Sequence, residues 1–261
     1  MKISIITPTF NSAGVITDCI ESVYSQTFHN IEHIIVDGGS TDLTLDCVRS
    51  KANRVVKIVS EPDKGIYDAL NKGIRLASGD IIGILHSDDT FGSVQTLQHI
   101  AESFGPSLAI PEGQKPVDVV YGNLVFVDQL HVNKIVRYWV SKPFNPSLLR
   151  KGWMPPHPTV FMRREVYVKH GLFNMNLKCA ADYDYLLRVF NDDTLGFFYL
   201  PEVITRMRMG GISTKGLKYI INKKIEDFWV LKNNRMPFPC WILLAKNVSK
   251  IPQLIFKKSH Y

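Results

Sequence analysis

Cysteine is scarce in this 261-residue chain: only Cys19, Cys47, Cys179 and Cys240 occur, and none has CxxC spacing. That scarcity excludes a disulfide framework and a thiolate zinc site, and it fits a reducing compartment. Long apolar runs are missing too, none approaching the roughly 18–20 residues that span a bilayer. The opening MKISIITPTF is broken by Pro8 and Asn11 too early for a secretion signal. The expectation is a cytoplasmic protein that does not cross the membrane. There are no internal repeats and no low-complexity tract. No GxGxxG follows the first apolar run, which counts against a dinucleotide oxidoreductase. The Gly-rich N-terminal loop with Arg and Lys that a sugar nucleotidyltransferase carries is absent from residues 8–14.

What is present is ordinary globular composition, 45% apolar and 21% charged. The length suits one large α/β domain, with or without a C-terminal appendage. The net charge of +7 is unevenly placed. Residues 215–261 hold ten Lys/Arg against two acids, a balance of +8, and residues 1–214 hold twenty-one against twenty-two, a balance of −1. A near-neutral body argues against nucleic acid as a partner; a basic tail suggests a surface-binding segment.

Apolar runs at 3–7, 32–36, 55–60 and 81–85 predict strands. Between them Val15, Ile16, Cys19, Ile20 and Val23 recur at helical spacing, as do Ile66, Leu70, Ile74 and Ala77. A further helix through about residue 52 would be capped by Thr41 or Asp42. This alternation implies a mixed, mostly parallel sheet flanked by helices, with ligands beyond the carboxyl ends of its strands. Further strands are expected at 117–121, 124–127 and 132–138, the last two as a hairpin around 128–131. Strands at 159–162, 197–200 and 203–207 and helices at 164–170 and 182–190 complete the pattern.

The strand ends deliver polar residues in series: Thr7-Pro8-Thr9-Phe10-Asn11, then Asp37-Gly38-Gly39-Ser40-Thr41-Asp42, Glu61-Pro62-Asp63-Lys64-Gly65, and Ser87-Asp88-Asp89. Each cluster alone is explained by helix caps and tight turns. Together they are not, because converging carboxylates repel unless a cation or donor groups bind them.

In order and spacing over residues 3–90, these motifs resemble family 2 glycosyltransferases, inverting enzymes of the GT-A (Rossmann-like) fold. Glu61-Pro62-Asp63-Lys64-Gly65-Ile66-Tyr67-Asp68-Ala69, Asn71-Lys72-Gly73 and Ser78-Gly79-Asp80 belong to the match. It continues more weakly through His157-Pro158, Gly171-Leu172-Phe173, Ala181-Asp182-Tyr183-Asp184 and Gly210-Gly211-Ile212-Ser213. The resemblance implies a domain over 1–214, with a nucleotide-sugar half (1–90) and an acceptor half (91–214). It implies that Thr7, Pro8, Thr9, Asn11, Asp37, Asp63, Asn71, Asp88 and Arg208 hold the donor. Asp89 would bind Mn²⁺ or Mg²⁺, and Asp182 would be the general base, with Asp184 as the fallback. The implied partners are a nucleotide sugar, UDP-linked by family habit, and a saccharide or lipid-linked saccharide acceptor of bacterial surface polysaccharide assembly.

Two departures from the family pattern stand out. His86 precedes Ser87-Asp88-Asp89 where relatives carry Asn or, two positions before the pair, an acid; Ala181 stands where an acid is common. His157 is either an acceptor-pocket residue or structural, Arg206 either binds phosphate with Arg208 or is solvated, and Trp153 with Met154 is expected as an apolar acceptor wall. A non-catalytic nucleotide-sugar-binding module is the competing reading, against which Asp89 and Asp182 count. Residues 215–261 mix apolar residues at helical spacing with lysines, which fits either an interfacial helix on the inner face of the cell membrane or a helix packed on the domain.

Overall fold

A computed structural model describes residues 1–51, 57–105, 115–210 and 216–248, the side chains of 216–220 excepted. Among these residues a single sheet forms, built on β1 (Ile3–Thr9), β2 (Ile31–Asp37), β3 (Lys57–Ser60) and β4 (Ile81–Ile84). These four run parallel in the order β3-β2-β1-β4, with Thr9 beside Asp37 and Asp37 beside Ser60. β1 is buried along its whole length without alternation because both of its faces are covered. Ile6, with Ile34 and Ile84, packs against Leu70 and Ile74 of α3 (Ile66–Leu76). Ile3 and Ile5 pack the other way, with Cys19 and Val23 of α1 (Ile16–Tyr24) and Leu97 and Ile100 of α4 (Thr96–Ser103). The expected mixed α/β architecture is what the chain adopts.

Beyond β4 the sheet continues through β8 (Phe161–Arg163), β6 (Val117–Val127), β9 (Gly196–Arg208) and the two-residue β5 (Thr90–Phe91). β8 runs antiparallel to both neighbours, and β6 and β9 pair in parallel. The expected strand pairs 117–121 with 124–127, and 197–200 with 203–207, are each one strand. What the sequence shows as breaks, Gly122-Asn123 and Pro201-Glu202, are register shifts where the facing partners jump from Tyr199 to Val203. Proline cannot donate to the ladder, and the strand bulges rather than ends. β7 (Ile135–Trp139) forms the expected hairpin with β6.

α2 (Thr44–Ser50) is entered through Asp42, whose Oδ1 accepts the Thr44 amide at 3.0 Å. The rest of the chain supplies α5 (Ser147–Arg150), α6 (Arg164–His170) and α7 (Ala181–Phe190). Ala180 holds the N-cap of α7, so Asp182 lies inside the first turn and does not cap it. Buried Met154 and partly buried Trp153 pack on the main core, Trp153 beside Tyr121, Phe144 and Phe190.

α8 (Gly216–Asn233) and α9 (Pro239–Val248) pack on the domain: Val230, Leu231, Met236 and Ile242 are buried in its main core. Both helices therefore pack on the domain through one face. The apolar residues expected at 251, 254, 255 and 256 lie outside the described residues. No described helix is long and apolar enough to cross a membrane.

Candidate active site

The carboxyl ends of β1, β2, β3 and β4 bring the polar clusters to one edge. At the end of β2, Asp37 is fully buried and shapes its own turn. It accepts the amides of Gly39 and Ser40 and the hydroxyls of Ser40 and Ser60. Gly39, at φ +85°, lets the chain fold back over that carboxylate. Asn11, itself left-handed at φ 49°, ties β1 to the same turn by accepting the Thr41 amide at 2.9 Å. Pro8 is buried within β1.

Asp63 comes to this turn from the loop after β3. Its Oδ2 lies 2.4 Å from where a Cβ on Gly38 would stand, so the carboxylate fills the space a side chain there would need. Thr9 adds a buried hydroxyl without a hydrogen-bond partner at the end of β1. Two expected donor contacts are placed otherwise. The Thr7 hydroxyl is fully buried, 3.0 Å from His33 Nε2, under the sheet edge. Asn71 spends both ends of its amide on Phe173, donating to its carbonyl and accepting its N–H, each at 2.9 Å. It is a brace between α3 and the chain at Phe173.

Asp88 and Asp89 follow β4. Ser87 is hydrogen-bonded to Ser12 at 2.9 Å, which ties this turn to the loop after β1. Asp89 is fully buried, and its oxygens make no well-formed hydrogen bond, the Arg208 main-chain N–H being the donor that reaches toward them. Burial, with Asp88 adjacent, pushes its carboxyl well above the ordinary aspartate value; the Arg208 main chain and guanidinium pull the other way without restoring it. Arg208 ends β9, pairs with Asp18, and keeps a buried Nε without a partner. A buried charge left this way is costly unless something binds it. Among the described residues no cluster of three or more metal-ligating side chains forms. Asp89 therefore fits a divalent cation whose remaining ligands come from outside the protein, as the oxygens of a diphosphate would supply.

From Asp88 the polar groups lead across to α7. His86 feels both Asp88 and Asp182, its ring is 6.3 Å from that of His157, and His157 feels Asp182 in turn. Burial lowers His157 to about 4, so it is neutral at physiological pH. Asp182, inside the first turn of α7, accepts the Tyr67 hydroxyl at 3.2 Å. Burial acts to raise its carboxyl, but His157, Lys223, the Tyr183 amide and Lys246 hold it below the ordinary value. Asp184, the fallback, is occupied by Arg188 and Asn234.

Two contributors have no role in the sequence reading. Tyr67, within the motif that runs from Glu61 to Ala69, also stacks on Phe173 at 5.8 Å. Glu226 of α8 accepts the amides of Lys178, Cys179 and Ala180 at 3.0, 2.7 and 3.0 Å, fixing the approach to α7. Its only signal was that Glu226 and Asp227 are the two acids of a basic segment. Of the motif at 210–213, only Gly210 is described.

The model of glycosyl transferase family 2 matches residues 4–169. A PGL/p-HBAD biosynthesis glycosyltransferase of Mycobacterium bovis BCG is 31% identical over 214 residues, covering 80% of this chain and 78% of that protein. The crystal structure of S. aureus TarS 1-349 in complex with UDP-GlcNAc superposes with a TM-score of 0.67 at 19% identity, covering 97% of this chain and 73% of the other. The mannosyltransferase PcManGT of Pyrobaculum calidifontis, in complex with GDP-Man and Mn²⁺, gives 0.64 at 21% identity, covering 97% and 70%.

Proposed function

The chain belongs to glycosyl transferase family 2, and from that premise we propose a metal-dependent, inverting transfer of a hexose from a nucleotide sugar to a saccharide acceptor. The observation that carries the reading is the buried, unpartnered carboxylate of Asp89 beside Asp88 and Arg208. UDP is the favoured nucleotide, since the TarS structure holds UDP-GlcNAc, and Mn²⁺ the favoured ion, since PcManGT holds it with its donor. Asp63, Asn11 and Thr9 face the base and ribose from the turn that Asp37 organises. Asp88 and Arg208 serve the ribose and diphosphate. A divalent cation at Asp89 supplies positive charge against the phosphate oxygens as the leaving nucleotide becomes more negative.

Asp182 is assigned as the general base. Being ionised, it accepts the proton of the acceptor hydroxyl as that oxygen bonds to the anomeric carbon and the bond to the diphosphate oxygen breaks. One-step displacement inverts the anomeric configuration. Tyr67 orients the carboxylate, and neutral His157 and His86 line the way between donor and base. The acceptor class is a saccharide, free or lipid-linked, of a bacterial surface glycan, in keeping with the biosynthetic name of the mycobacterial relative.

A panel of nucleotide sugars, screened by thermal shift with and without Mn²⁺, tests the donor side. One or more UDP-sugars should raise the melting temperature in the presence of Mn²⁺. With the responding donor, Asp182→Asn should retain nucleotide binding and lose transfer. Transfer at the wild-type rate by that variant would remove Asp182 from the role of base.

A further inference from the structure

α8 and α9 carry outward apolar faces that the domain does not use. On α8 they are Ile221, Ile225 and Trp229, spaced four apart and each about half exposed (49%, 51% and 50%). Phe238 in the connection is 79% exposed, and Trp241, Leu244 and Val248 repeat the pattern on α9 at 63%, 56% and 53%. Side chains of this size left in water at seven positions over 28 residues exceed the scattered exposure of ordinary surfaces.

The charges around them are of one sign. Residues 216–248 contain two acids, Glu226 and Asp227, and both turn inward. Glu226 is held by the amides of 178–180, and Asp227 is 6% exposed and paired with Lys246 at 2.8 Å. Lys224, Lys232 and Arg235 point outward. Lys232 Nζ lies 5.2 Å over the Trp229 ring, so cation and indole share one patch. Aromatic and aliphatic side chains with a rim of cations, and with every acid withdrawn, match an anionic phospholipid surface. A homodimer interface would bring these cations face to face with their own copies.

We infer that α8 and α9 dock the protein on an anionic lipid bilayer through Trp229, Trp241 and their aliphatic neighbours, with Lys224, Lys232 and Arg235 on the headgroups. The surface is separate from the transfer chemistry and stands or falls independently of it.

Co-sedimentation of the full-length protein with phosphatidylcholine vesicles, with and without about 30% phosphatidylglycerol, tests this. The protein should pellet with the anionic vesicles, and raising the salt should weaken that binding. Trp229→Gln with Trp241→Gln should lower the partition at least about tenfold, as should Lys224→Glu with Lys232→Glu. UDP binding with Mn²⁺, measured on the same variants, should stay at the wild-type value and certify the fold. Failure to bind anionic vesicles overturns the inference. So does equal binding to neutral vesicles, or partition unchanged by both double variants. A concentration-dependent dimer that the tryptophan variants abolish, without vesicle binding, would assign the surface to a second copy instead.

Discussion

The hydroxyl of Tyr67 donates to Oδ1 of Asp182 at 3.2 Å, joining residues 115 positions apart in the chain. Tyr67 lies in the first turn of α3, and Asp182 in the first turn of α7. Phe173 secures the arrangement: it stacks on Tyr67 and has its backbone held by Asn71 from the next turn of α3. A hydrogen bond to an ionised group contributes about 1.5–3 kcal/mol when well formed. Tyr67→Phe should therefore lower kcat by roughly tenfold or more while leaving UDP affinity unchanged. Steady-state kinetics beside calorimetric UDP binding checks it, and an unaltered kcat would show that Asp182 is oriented by other groups.

Asp89 makes a prediction about stability as well as metal. Its carboxyl is raised in the folded protein, first by burial and then by Asp88. A carboxyl raised on folding contributes stability at pH below its unfolded value and loses it as pH rises through the folded value. Without metal, the protein at pH above the unfolded value therefore bears the cost of burying this carboxyl. Asp89→Asn should raise the melting temperature of the metal-free protein at pH 7, by roughly 1–3 kcal/mol in stability. The same variant should lose the increase that Mn²⁺ with UDP gives the wild type, and its transfer activity. Differential scanning calorimetry across pH, with and without the ion, decides the matter; an Asn variant that melts lower without metal would contradict the account.

The sheet was legible from sequence because its parallel strands are short, mainly apolar segments, each followed by a polar cluster. Asp37, Asp63, Asp88 and Asp89 announced one edge for that reason. Less legible was what each polar atom faces. Thr7 and Thr9 are alike in sequence and share one side of β1, yet one hydroxyl is taken by His33 and the other has no partner. Asn71 sits in a quoted motif, but its bonds go to Phe173, 102 positions away. Gly122 and Pro201 look like strand ends because a bulge, which keeps the pairing beyond it, has the same local signal. The inward turn of Glu226 and Asp227 needed the packing of α8 to be seen at all.

Glu226 shows how the last described helices reach the chemistry. Three consecutive amides converge on its carboxylate immediately before α7, and Lys223 donates to the Cys179 carbonyl at 3.0 Å in the same turn. Replacing Glu226 by Ala removes the acceptor for all three donors, at a cost of roughly 2–4 kcal/mol. Urea denaturation should show that loss. Hydrogen exchange should rise over residues 178–184, and kcat should fall more than UDP affinity. If exchange there stays at the wild-type level, Glu226 does not hold this turn.

Gly38 and Asp63 give the most specific test of the donor side. A Cβ at position 38 would stand 2.4 Å from Asp63 Oδ2 and 2.9 Å from its Cγ, closer than real side-chain carbons approach one another. Gly38 is not among the positive-φ glycines, so alanine is compatible with its backbone. The strain therefore falls on the Asp63 carboxylate, which must swing away. That movement puts at risk the hydrogen bond that Asp63 Oδ1 accepts from the Gly65 amide at 2.8 Å, a cost to the fold limited by the partial exposure of this side chain. It should cost the donor more, since a carboxylate accepting from a base N–H contributes about 1.5–3 kcal/mol. Gly38→Ala should weaken UDP binding by about tenfold or more, with a melting temperature near wild type. Asp63→Ala should do the same, and the double variant should be no worse than either single one, because both act through one carboxylate. Additive losses in the double variant would mean that Gly38 reaches the nucleotide by a route other than Asp63.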